Sequence, residues 1–151
     1  MMANISIRYF SQRYWKNVKD LRYVLDKLNG WNYKLGIISN ASDDEDVQVL
    51  VDNAGIRDYF EFVLTSAAMG VRKPDPSIFQ KVLDRWNLSG KQVAMVGDTI
   101  TADIVGSNRL GMLSIWVTEH ADTTLGSIDD QSLKPDFIIS DLGELLTIFQ
   151  K

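Results

Sequence analysis

Cysteine is absent from the 151 residues, which removes disulfides, thiolate nucleophiles and cysteine-bound zinc together. There is no run of about 18 apolar residues that could cross a membrane, and no long basic cluster. Sixteen Lys and Arg stand against 20 Asp and Glu, a formal charge of −4. That mild acidity argues against nucleic acid or an anionic membrane as the main partner. No internal repeat, low-complexity segment or domain boundary interrupts the chain. Apolar material is plentiful: 45% of residues are hydrophobic, enough for one globular domain with a single core. Without cysteine or a secretory signal, the expected location is cytoplasmic.

Acid is also missing from residues 1 to 19, which carry Arg8, Arg13, Lys16 and Lys19. The bias loosely resembles an organelle transit peptide. However, Ile7, Phe10, Tyr14, Val18, Leu21, Leu25 and Leu28 recur three or four apart, as one side of a helix requires. A rival pattern overlaps it. In "NISIRYF", residues 4 to 10, Ile5, Ile7 and Tyr9 alternate with Ser6 and Arg8 at strand period.

Beyond this segment, helical and extended patterns take turns. Val18 to Leu28 predicts a helix closed by Asn29-Gly30, and "KLGIIS" (34 to 39) a buried strand. Ser42 followed by Glu45 has the form of a capping box, opening a helix with Val47, Leu50, Val51 and Ala54 on its apolar face and Gly55 at its end. "FEFVLTS" (60 to 66) predicts a short strand. Asp75 and Pro76 then supply an N-cap and first helical residue before Ile78, Phe79, Val82, Leu83 and Trp86. "QVAMVG" (92 to 97), "LSIWV" (113 to 117) and "DFIIS" (136 to 140) are further strands. Helices are expected from about Ala102 to Leu110 and after Asp141, and residues 118 to 135 form a long surface loop. Five strands alternating with helices predict an α/β fold, a Rossmann-like parallel sheet covered by helices.

In such a sheet reactive groups collect at the carboxyl ends of the strands. Asp98 follows one strand, past Gly97, which would allow a sharp turn, and Asp103 opens the next helix. Two carboxylates and a Thr hydroxyl there suit Mg²⁺. Equally, Asp98 is an ordinary turn former and Asp103 a helix N-terminal acid. Ser39 could place its hydroxyl on a phosphate, or be a common strand-end serine. Lys73 could be a site cation, or a solvated lysine in a proline turn. Together, a hydroxyl, a cation and an acid pair at successive strand ends describe a phosphate beside a metal.

At these residues the sequence resembles a known family. "LGIISN", "GVRKPDPSIFQ" and "VGDTITADIVGSNRLGM" are similar to the second, third and fourth motifs of the haloacid dehalogenase-like hydrolase superfamily, nearest to its helical-cap phosphatase-like group. The likeness runs over roughly residues 16 to 150, through the closing "PDFIISDLGELL". It implies a phosphatase acting on a small phosphorylated metabolite by phosphoryl transfer to an aspartate and hydrolysis. Asp98 would bind Mg²⁺ and Asp103 support the metal directly or through water. Ser39 would contact the phosphoryl group, with Asn40 beside it, and Lys73 would neutralise charge. Asn40 and Thr99 would also shape the loops.

The resemblance breaks at the first motif. The family's nucleophile is the first Asp of a DxDxT-like motif at the end of the central strand, with its general acid/base two residues later, and neither is here. The acids before Ser39 are Asp20 and Asp26, inside the expected helix. Asp44 and Asp46 in "DED" follow the second motif and fall where a helix favours acids. The expected chain is therefore a core lacking the family's first strand and most of its cap: residues 1 to 15 are a cap remnant or replacement strand, residues 16 to 151 the core domain. Three readings follow: a truncated, catalytically incomplete hydrolase; a non-catalytic domain binding phosphate, a phospholigand or a protein; and half of a split enzyme completed by another chain. Binding of Mg²⁺ should be weak. The gap where the central strand belongs must be filled, by residues 4 to 10 in cis or, in a homodimer, in trans.

Overall fold

The computed structural model describes residues 4–7, 18–119, 121 and 130–150. Its centre is a six-stranded parallel sheet in the order β3-β2-β1-β4-β5-β6. The strands are β1 (Asn4–Ile7), β2 (Lys34–Ser39), β3 (Phe60–Thr65), β4 (Val93–Gly97), β5 (Leu113–Val117) and β6 (Phe137–Ile139). The helices are α1 (Val18–Gly30), α2 (Asp44–Asn53), the single turn α3 (Ser66–Met69), α4 (Pro76–Trp86), α5 (Val105–Arg109) and α6 (Leu145–Phe149).

The alternation of side chains along the strands sorts the core into two layers. Leu35, Ile37, Ala94, Val96, Ile115 and Val117 face α1, α2 and α6, where Leu25, Leu28, Val51, Leu145 and Phe149 are buried. Ile38, Val93 and Met95 face the other way, against Ile78, Phe79, Val82 and Leu83 of α4. Gly36 falls on this second face, where a Cβ would lie 2.2 Å from the Phe62 ring. Burial on both faces is why these strands read as continuous apolar runs in the sequence.

The gap is filled by β1. It pairs on one side with β2, Ile5 opposite Leu35, and on the other with β4, Ile5 opposite Ala94 and Ile7 opposite Val96. The central place is thus taken in cis by the replacement strand expected from residues 4 to 10, and its described residues carry no carboxylate. The helical reading of this segment fails at Ile7, because a middle strand satisfies two rows of backbone groups that a helix there would leave unpaired. Phe10 and Tyr14 lie outside the described residues.

Helix ends follow local chemistry. Asp75 caps α4 by accepting from the Ser77 N–H at 2.9 Å, with Pro76 as first helical residue. At α2 the capping box expected from Ser42 and Glu45 is replaced by Asp43, whose carboxylate accepts from the Asp46 N–H. One residue of slip suffices, since a carboxylate at position 43 does the same work. The helix expected from Ala102 begins instead as a π-helical turn, Ile100–Ile104, before α5. No described helix is long and apolar enough to cross a membrane.

Candidate functional site

The strand order 3-2-1-4-5-6 reverses direction between β1 and β4, and ligands bind in such sheets at the carboxyl ends of the strands beside that point. Ser39 ends β2 and Gly97 ends β4, on either side of β1. Ser39 is 1% exposed, and its hydroxyl has no hydrogen-bond partner among the described residues. A buried hydroxyl left unsatisfied is uncommon in native proteins and marks a place where a ligand oxygen or water is expected.

Lys73 comes to the same edge from the loop before α4. It is buried, and its Nζ donates to the Ile38 carbonyl at 2.9 Å and to Asp103 Oδ1 at 2.8 Å. Burial of the whole side chain rules out the solvated lysine of a proline turn. The loop is clamped to β2 by Asn40, whose Nδ2 donates to the Lys73 carbonyl and whose Oδ1 accepts from the Lys73 N–H, at 3.0 and 2.8 Å. The Asn40 side chain thus spends both polar ends on the backbone of Lys73. Its geometry is that of a positioning group rather than one presented to a ligand.

The two aspartates take different surroundings. Asp103 is fully buried, with Oδ1 on Lys73 and Oδ2 accepting from the Thr99 N–H at 3.0 Å. It fits there because Gly97 has no side chain: a Cβ on Gly97 would stand 2.3 Å from Asp103 Oδ2. The glycine therefore serves close approach rather than a sharp turn, and its φ is not among the positive ones. Asp98 is half-exposed, and its Oδ1 accepts from the Thr99 hydroxyl at 3.0 Å. Thr99 joins the two carboxylates, one through its hydroxyl and the other through its amide. Trp116, unmarked in the sequence reading, donates its indole N–H to the Asp98 carbonyl at 3.0 Å. The pairing of β4 with β5, Gly97 opposite Trp116, is what brings it there, and no spacing in the chain announces it.

These donors determine how a Mg²⁺ would be held. The ion takes one or two carboxylates and keeps several waters. Asp98 meets that description. Asp103 is buried, with Oδ1 on the Lys73 ammonium and Oδ2 on the Thr99 N–H, and so ties the lysine to the same strand end. No group of three acid or histidine side chains suited to a metal occurs among the described residues. The "DED" acids are placed elsewhere: Asp44 accepts from the Thr65 hydroxyl at 2.6 Å and from Gln48, and Asp46 lies exposed on α2.

The chain matches the family model described as haloacid dehalogenase-like hydrolase over residues 4–117. It is 36% identical over 103 residues to a glyceraldehyde 3-phosphate phosphatase of Pyrococcus abyssi, a match covering 68% of this chain and 43% of that one. The chain spans about half the length of the curated relatives it matches. Among solved structures, a HAD phosphatase from Thermococcus onnurineus superposes with a TM-score of 0.74 at 28% identity, covering 87% of this chain and 57% of that one. An uncharacterised protein from Listeria monocytogenes serotype 4b superposes with a TM-score of 0.78 at 25% identity, covering 97% of this chain and 96% of its own. The match begins at Asn4, on the strand that fills the centre of the sheet, and continues through the serine, lysine and aspartate strand ends just described. By that continuity this chain belongs to the haloacid dehalogenase-like hydrolase family.

Proposed function

We propose that this chain provides the phosphoryl-binding part of a phosphatase acting on small phosphorylated metabolites, and that it binds such groups without turning them over. The observation that carries this reading is the buried Ser39 hydroxyl with no partner among the described residues, beside a Lys73 ammonium held by Ile38 and Asp103. A phosphate oxygen accepting from Ser39 would satisfy that hydroxyl and lie near the lysine charge, a favourable place for an oxyanion. Mg²⁺, when bound, would neutralise charge between the phosphoryl group and Asp98, the described residue suited to hold it. The phosphatases among its relatives support this substrate class. A cytoplasmic setting suits such metabolites.

Turnover needs a nucleophile, and β1 does not bring one. After Ile7 the sequence runs Arg8-Tyr9-Phe10-Ser11, with the first acid at Asp20. Positioning and charge neutralisation alone leave little rate when the covalent step has no carboxylate. The split-enzyme reading loses its simplest form too, since the place for a strand from another chain is taken by β1.

The test is a titration of the labelled protein with inorganic phosphate, with and without Mg²⁺, alongside an assay with p-nitrophenyl phosphate. Expected are amide shifts at Ser39, Asn40 and Lys73, weakened in Ser39→Ala, and no Mg²⁺-dependent hydrolysis. Absence of those shifts would overturn the binding site. Robust hydrolysis lost on Asp98→Asn would show that the chain is a complete enzyme, and loss on Asp44→Asn would bring back the "DED" acids as nucleophile and acid.

A further inference from the structure

Trp116 has no role in the reading above, yet it bonds to a residue on which that reading depends. It lies opposite Gly97 in the parallel ladder between β4 and β5. The indole reaches past the end of β4, and its Nε1 donates to the Asp98 carbonyl at 3.0 Å. An indole nitrogen donates and never accepts, so this bond has one sense. Asp98 is thereby held at two points: its backbone by Trp116 from the neighbouring strand, its carboxylate by the Thr99 hydroxyl at 3.0 Å. Thr99 is itself tied through its N–H to the buried Asp103. Of the two described contacts of Asp98, the one with Thr99 is made within its own segment and the one with Trp116 comes from a neighbouring strand.

We propose that Trp116 is a positioning residue for Asp98, anchoring the connection after β4 so that the carboxylate faces the ligand side of the sheet. The proposal rests on the reading of Asp98 as the carboxylate that meets a cation beside the phosphate. Working groups must be held to about 0.5 Å, and Asp98 stands between the end of β4 and the π-helical turn that begins at Ile100, where a bond from the neighbouring strand fixes its backbone. Trp116→Phe keeps an aromatic ring and removes the donor.

The experiment is a Mg²⁺ titration of ¹⁵N-labelled wild type and Trp116→Phe, following the amides of Asp98 and Thr99 and the indole N–H signals. Trp86 is the internal control, because its indole is bonded to Glu61 at 2.6 Å, away from the site. In the wild type the Trp116 indole should move with Asp98 along one binding curve while Trp86 stays still. In Trp116→Phe the affinity should fall about three- to tenfold, the size of one hydrogen bond, with the unfolding midpoint little changed. Equal affinity in the variant, or a static Trp116 signal while Asp98 shifts, overturns the proposal and leaves the reading of Asp98 standing. If neither Asp98 nor Trp116 shifts in the wild type, the reading of Asp98 fails and this proposal with it. Should the variant not fold, the wild-type indole signal still decides.

Discussion

At the scale of single residues, stability and function pull apart at Ser39. Its hydroxyl is buried without a partner among the described residues, and an unsatisfied buried polar group costs about 1 to 3 kcal/mol. Ser39→Ala is therefore expected to leave the unfolding free energy unchanged or raise it by up to about 1 kcal/mol, while phosphate affinity falls. Urea denaturation and a phosphate titration on the same sample check both halves. The buried Lys73–Asp103 pair behaves in the opposite way. Both side chains have no exposure, so Lys73→Met leaves a carboxylate charge without its cation. Removing one partner of such a pair costs about 3 to 5 kcal/mol. Adding Asp103→Asn should recover part of that loss, because the uncompensated charge goes with it. A urea series on the two single variants and the double variant measures the coupling; strict additivity would show that the pair contributes nothing as a pair.

At the scale of elements, the sheet depends on four residues. Strand β1, Asn4–Ile7, is paired on both sides, and proline in a central strand removes a ladder donor and clashes with the preceding backbone. Ile5→Pro should abolish cooperative unfolding, read by circular dichroism. A chain that stays folded with the variant would mean that β2 and β4 can close on each other. A milder element-level effect lies at the start of α4. The Ser77 hydroxyl, at 2.6 Å, and next the Ser77 N–H hold the Asp75 carboxyl below its ordinary value of 3.8. A depressed folded-state value means that the cap stabilises fully above the unfolded value and is lost as pH falls through the folded one. Wild type and Asp75→Asn should therefore differ in melting temperature by less in strong acid than at neutral pH.

At the scale of the whole molecule, the buried charge of the site is balanced within the chain. Asp103 is neutralised by Lys73, and Asp98 stands half-exposed with water to complete any ion's shell. A chelator should leave the melting temperature unchanged. With a millimolar dissociation constant, about 10 mM Mg²⁺ would stabilise the fold by about 1.4 kcal/mol. Calorimetry that found micromolar affinity would mean that a further acid has joined Asp98.

What the sequence by itself determined is what lies in local pattern. Apolar runs mark β2, β4 and β5, because strands buried on both faces carry no polar alternation, and the Asp75-Pro76 start of α4 is readable because a cap acts on its own neighbours. The site motifs were legible as types of residue at strand ends. The tertiary structure alone decided what surrounds those residues. Residues 4–7 carry both a strand and a helix period, and only the two rows of unpaired groups on β2 and β4 select the strand. Asp98 and Asp103 look alike in the chain, yet the space above Gly97 and the arrival of Lys73 from another loop bury one and leave the other open. Asn40 and Trp116 act through partners 33 and 18 residues away. Such contacts exist only once the strand order has brought separate segments to one edge, and no local period records them.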